Sequence, residues 1–131
     1  MFQKKYNKKI GELGENIAKN FLIKNGYQII DTNIQVSYGE IDIIACKDYK
    51  YDFIGTKKFT IFIEVKTRTS NSLGRADESM TPKKMKNLRK YIRFYINRNP
   101  VNSNFIRLDL IAIDLDKKTR IANLKHYKDL L

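Results

Sequence analysis

The sequence has one cysteine, Cys46, no tryptophan, two prolines and no long apolar run. One thiol cannot close an intrachain disulfide, and no Cys/His spacing suits zinc. Neither an oxidised scaffold nor a zinc finger is available, and a reducing compartment is expected. The basic residues 1–10 are not followed by an apolar segment, and nothing approaches the roughly 18 residues that would span a bilayer. These absences predict a cytoplasmic protein that makes no use of a membrane. Acidic residues are also scarce, 14 Asp and Glu against 26 Lys and Arg, so the formal net charge is +12. Such a surface attracts polyanions, with nucleic acid the leading class. The excess is mostly lysine in a chain rich in Ile and Asn, a bias that codon composition also produces, so charge alone does not decide the partner.

What is present suffices for one core. With 131 residues, 42% of them hydrophobic, a single domain over residues 1–131 is expected. Ile10, Leu13, Ile17, Ala18, Phe21 and Leu22 recur at helical spacing and predict a first helix over 10–25, with Glu12 and Glu15 near its positive end and Gly26 at its stop. Residues 27–36 and 40–47 read as strands joined by a turn at Ser37-Tyr38-Gly39, which makes them a hairpin. Residues 47–59 suit a long turn or an extended hairpin tip, and a third strand follows over 59–68. Residues 70–79 have loop composition. Thr81 then caps a helix that opens on Pro82 and closes at Asn99-Pro100. Its apolar stripe is Met85, Leu88, Ile92, Tyr95 and Ile96, and Lys83, Lys86, Lys90 and Arg93 line a neighbouring face. Strands at 105–114 and 119–124 complete the chain, with a helical tail after them. The fold class is α/β, ordered α-β-β-β-α-β with a short C-terminal strand. The first three strands form an antiparallel meander, and a long crossover makes the third and fourth parallel, so the sheet is mixed.

Two short strand segments carry the chemistry. Glu40-Ile-Asp42 and Glu64-Val-Lys66 each place ionisable groups at alternate positions, with Ile41, Ile43 and Ala45 expected on the opposite face from Glu40 and Asp42. If the two strands are neighbours, three carboxylates and a lysine converge. Such a cluster is costly unless a cation neutralises it. Mg²⁺ takes hard oxygen ligands, often one or two carboxylates plus waters and substrate phosphate oxygens, a set that Asp42 and Glu64 match. Lys66 then stabilises charge on an attacked phosphate or positions the attacking water. The same residues also suit the solvated polar face of an amphipathic sheet.

Gly11-Glu-Leu-Gly14-Glu15 with Ala18, Gly26-Tyr27, Gly39-Glu-Ile-Asp-Ile-Ile-Ala45, Phe62-Ile-Glu-Val-Lys-Thr-Arg68, Thr81-Pro82 with Lys84, and Arg107-Leu-Asp109 resemble, in order and context, the YraN-like family of uncharacterised bacterial proteins. That family is similar in turn to archaeal Holliday junction resolvases and to the restriction-endonuclease-like PD-(D/E)XK superfamily. The resemblance implies a restriction-endonuclease-like core and a Mg²⁺- or Mn²⁺-dependent nuclease acting on nucleic acid, with structured or branched DNA favoured over RNA. It implies catalytic roles for Asp42, Glu64 and Lys66, with Asp42, Glu64 and Glu15 as metal ligands and Glu40 supporting them from outside. An acid in a first helical turn also complements the helix dipole, which is the other account of Glu15. The segment between Ala45 and Phe62 is longer than the family's usual hairpin, and the end of the chain matches poorly. A non-catalytic nucleic-acid-binding module with the same fold is the alternative function.

Arg68 and Arg75 are candidate phosphate contacts, as are Lys83, Lys86, Lys90 and Arg93, although a lysine-rich helix needs a solvated face in any case. Tyr38, Tyr49, Tyr51 and Phe53 can stack on bases or pack locally. His126, the only histidine, is expected on the surface, and Cys46 as a small buried hydrophobe. The sequence leaves oligomeric state open, a homodimer included.

Overall fold

The structure, a computed structural model, describes residues 2–69, 80–101 and 105–131. Arg75 and the loop expected over 70–79 lie outside the described residues. The elements are α1 (Phe2–Lys24), β1 (Gln28–Val36), β2 (Gly39–Tyr51), β3 (Gly55–Thr69), α2 (Pro82–Arg98), β4 (Phe105–Asp116) and β5 (Ile121–Tyr127). They form one five-stranded sheet in the order β1-β2-β3-β4-β5. Every pair is antiparallel except β3 with β4, where α2 provides the crossover, as expected from sequence.

Each helix covers one set of buried side chains. Ala18 and Leu22 of α1 pack with Ile43, Ala45, Ile61, Ile63, Ile111 and Ile113. Leu88, Ile92 and Tyr95 of α2 pack with Val36, Ile41, Ile44, Phe62 and Leu108. Full burial of a branched aliphatic or aromatic side chain contributes about 1.5–3 kcal/mol, so these two layers are the main source of stability. Ile41 is a correction to the expected alternation. It belongs with the α2 layer, whereas Ile43 and Ala45 belong with α1, so β2 changes sides at Asp42.

Two boundaries differ from expectation, and a third segment takes the extended-hairpin form of the two expected for it. Helix α1 begins at Phe2, about two turns early, because residues 2–9 stand in solvent and need no apolar periodicity. Residues 47–59 prolong the β2–β3 hairpin up to the Tyr51↔Gly55 pair, and the tight end uses positive φ at Phe53 and Gly55. The tail is a strand to Tyr127 and is then tied back, Leu130 N–H to the Leu108 carbonyl at 2.7 Å, and is not helical. Among the described residues no helix is long and apolar enough to cross a membrane.

Candidate functional site

The site forms where β2 and β3 part. Their ladder ends at Ile43↔Ile63, so the last residues of β3 are paired on the β4 side only. The Asp42 side chain replaces the lost pairing, with the Val65 N–H donating to Asp42 Oδ2 at 2.8 Å. Glu64 follows Ile63, the last residue of β3 paired with β2, and stands within electrostatic reach of Asp42. Burial pushes the Asp42 carboxyl up to about 7. The charge of Glu64 adds to that rise, the Val65 amide opposes it, and Glu15 and Glu40 reinforce it.

Helix α1 brings Glu15 to this place through a close approach to β3. A Cβ on Gly14 would collide with the Thr67 side chain, so only glycine lets the helix lie this near the strand. Glu15 is far from the first helical turn, which contains no acid, and the dipole account of this residue is therefore overturned. Its carboxyl is raised by burial first, against a hydrogen bond from the Asn33 side chain, and Glu40 raises it further. Asn33 adopts a left-handed backbone, φ 52°, a conformation that asparagine tolerates better than most residues.

From the other side, α2 supplies a cation. Thr81 Oγ1 accepts from Lys84 N at 3.2 Å and Pro82 occupies the first turn, which fixes the helix start. Lys84 Nζ then reaches Glu64 Oε1 at 3.1 Å. A lysine in a first turn opposes the helix dipole, and its carboxylate partner offsets that cost. At the start of β2, a Cβ on Gly39 would collide with the Tyr91 ring, so α2 also rests directly on this corner.

Asp42, Glu64, Glu15 and Glu40 are therefore brought together. Lys66 is half-buried two residues beyond Glu64 and lines a cavity with residues of α1. Arg68 is half-buried in the same cavity wall, while Lys83, Lys86, Lys90 and Arg93 are all exposed on α2. Among the described residues no group of three or more His, Cys, Asp and Glu side chains is arranged to hold a metal by itself. The residues that could contribute ligands are Asp42 and Glu64, with Glu15 beside them. Asn33 and Lys84 join the site only in the structure: the Thr81-Pro82 motif with Lys84 is recognisable in the sequence, whereas Asn33 carries no sequence signal.

The pattern of the Uncharacterised protein family UPF0102 matches residues 14–113. The chain belongs to the UPF0102 family. A UPF0102 protein of Clostridium perfringens strain 13 / Type A is 39% identical over 126 residues, 96% of each chain. One from Caldicellulosiruptor bescii is 37% identical over 123 residues, covering 93% of this chain and 96% of its own. One from Clostridium tetani is 38% identical over 124 residues, covering 95% and 94%. The segment matched to UPF0102 contains every residue just described at the site, from Gly14 to Tyr91.

A second polar cluster lies elsewhere on the sheet. Arg107 donates from Nε and Nη2 to the two oxygens of Asp109, at 2.9 and 2.8 Å, and also reaches the Tyr49 and Tyr27 hydroxyls at 2.9 and 3.0 Å. His126 is not a surface residue: its side chain is 7% exposed, with Nε2 2.7 Å from Asp109 Oδ2. Burial works to raise the Asp109 carboxyl, but hydrogen bonds from His126, Arg107 and the Asp129 amide outweigh it and hold the group low. This network joins β2, β4 and β5 and anchors the tail. Cys46 is buried, as expected.

Proposed function

We propose that the chain is a metal-dependent nuclease hydrolysing phosphodiester bonds in nucleic acid, with structured or branched DNA as its substrate class. The observation that carries the reading is Asp42, half-buried beside Glu64 at the parting of two strands, its carboxyl raised to about 7 and Lys66 following on β3. A dication would relieve the desolvation and like-charge repulsion behind that rise, and a pair of carboxylates with room for water and phosphate oxygens fits Mg²⁺ or Mn²⁺. Bound there, the ion supplies Lewis-acid polarisation of a phosphodiester oxygen and of water. Asp42 and Glu64 hold it, and the Val65 amide fixes the Asp42 carboxylate in orientation. Lys84 balances part of the Glu64 charge before the ion arrives. Lys66 stabilises the charge that develops on the attacked phosphate. The exposed cations of α2 and Arg68 track the nucleic-acid backbone. A free, buried Cys46 suits a cytoplasmic setting.

The test is incubation of the protein with Mn²⁺ and linear, flapped, four-way-junction and single-stranded DNA. Cleavage of at least one substrate, abolished by EDTA, is expected. Binding without any cleavage would overturn the enzyme reading and favour a non-catalytic module that uses the same basic surface.

A further inference from the structure

Two cavities adjoin at the end of α1, one cationic and one apolar. The first, about 480 Å³, is lined by Gln3, Tyr6 and Asn7 of α1, Lys66 and Arg68 of β3, and Lys117 of the β4–β5 turn. Among the described residues no carboxylate lines it. Lys117 Nζ lies 4.8 Å from the centre of the Tyr6 ring, which joins the β4–β5 turn to α1, and Gln3 Nε2 donates to Asn7 Oδ1 at 3.0 Å within the helix. The second, about 370 Å³, is lined by Ile10, Leu13, Ile17, Leu115, Ile121 and Ala122, with Asp116 and Arg120 also in its wall. Leu13 and Ile121 are 47% and 56% exposed, unusual for aliphatic side chains beside a core. Ile10, Thr69 and Lys117 belong to both cavities, which therefore lie side by side along one cleft between α1 and the sheet.

We propose that this cleft binds an unpaired nucleotide of the substrate, its phosphate among the cations and its base in the apolar half. The proposal rests on the nuclease reading only in placing that nucleotide next to the reacting phosphodiester, since Lys66 belongs to the cleft wall and to the candidate site. Charge complementarity selects a phosphate for the first half. The second half offers apolar surface, which suits the face of a base and not a second phosphate. A base held in a duplex is stacked and paired and cannot enter a cleft beside its own phosphate. Single-stranded or flapped nucleic acid is thus the form that fills both halves. The helical extension of α1 before residue 10 contributes three lining residues, Gln3, Tyr6 and Asn7, so this part of the helix builds ligand surface instead of core.

The test uses the full chain in EDTA and fluorescence anisotropy with a labelled single-stranded oligonucleotide of mixed sequence and the same strand annealed to its complement. The single strand is expected to bind more tightly. Lys117→Ala should weaken it about tenfold and reduce the magnitude of its salt slope by about 0.7, the value for one phosphate contact on a single strand. Lys50→Ala, an equal charge loss on the β2–β3 hairpin, should have a much smaller effect. Leu13→Asp should weaken the single strand and spare the duplex. Equal or tighter duplex binding, or equal losses from Lys117→Ala and Lys50→Ala, would overturn the proposal. The two readings fail separately. Binding as described with no cleavage under Mn²⁺ removes the nuclease alone, and metal-dependent cleavage with no effect of Lys117→Ala removes the cleft alone.

Discussion

The Val65 amide donates to Asp42 Oδ2 at 2.8 Å across the gap where β2 and β3 separate, so one carboxylate both closes a sheet edge and waits in a candidate metal site. The two roles conflict. An amide acceptor is needed for the fold at any pH, whereas the charge that a cation needs is costly in the metal-free protein.

That conflict predicts a pH dependence. The Asp42 carboxyl titrates at about 7 in the fold against 3.8 when unfolded, because of burial, Glu64, Glu15 and Glu40. Its favourable contribution is full below about pH 4 and is lost as pH rises through about 7, with a limit of about 4 kcal/mol. Asp42→Asn retains an acceptor for Val65 and removes the charge. It should be more stable than the metal-free parent near about pH 8 and nearly equal to it near about pH 4, as read by urea unfolding.

Metal should reverse the effect. In the parent, Mg²⁺ or Mn²⁺ should raise Tm as its concentration passes Kd, more at alkaline than at acidic pH because the ligand must lose its proton. Asp42→Asn should show little of this gain by differential scanning fluorimetry. An undiminished gain in the variant would place the ion elsewhere.

The approach of α1 to the sheet can be tested at Gly14. Alanine is the better helix former by about 1 kcal/mol, yet its Cβ would collide with Thr67 Oγ1 and Cβ. Gly14→Ala should therefore destabilise the protein by about 1–3 kcal/mol, and adding Thr67→Ala should recover part of the loss. Stabilisation by Gly14→Ala alone would show that the helix does not need this contact.

Much of this was legible from sequence, and the misses share a cause. Strand order, the mixed sheet and the juxtaposition of Asp42 with Glu64 followed from β-branched runs, a capped helix at Thr81-Pro82 and the length of the crossover. These are local signals. From sequence Glu15 reads as a first-turn acid, because residues 2–9 face solvent and carry no apolar period. Its true surroundings depend on the Gly14–Thr67 contact and on the left-handed turn at Asn33. The break in alternation at Ile41 follows from the parting of two strands, which no single-strand pattern contains. His126 looked superficial because a lone histidine near a chain end has no pattern, and its burial comes from pairing with Asp109 on the neighbouring strand.

The second cluster makes its own prediction. Arg107→Met strands the buried Asp109 carboxylate and should cost about 3–5 kcal/mol, while Arg107→Met with Asp109→Leu should recover only part of it, because His126 and the Asp129 amide then lose their acceptor. Because Asp109 is held below its ordinary range, its contribution is present above about pH 4 and is lost as pH falls through the lowered value. Cleavage, measured where the single variant is still folded, should be affected far less than stability.

The most direct test of the central claim compares the parent with Asp42→Asn and Lys66→Ala in a cleavage assay with Mn²⁺, with DNA affinity measured in parallel. The account predicts cleavage by the parent, and at least a hundredfold loss, about 2.7 kcal/mol of transition-state stabilisation, in each variant, with affinity retained within a few fold. Cleavage that survives both substitutions would contradict it.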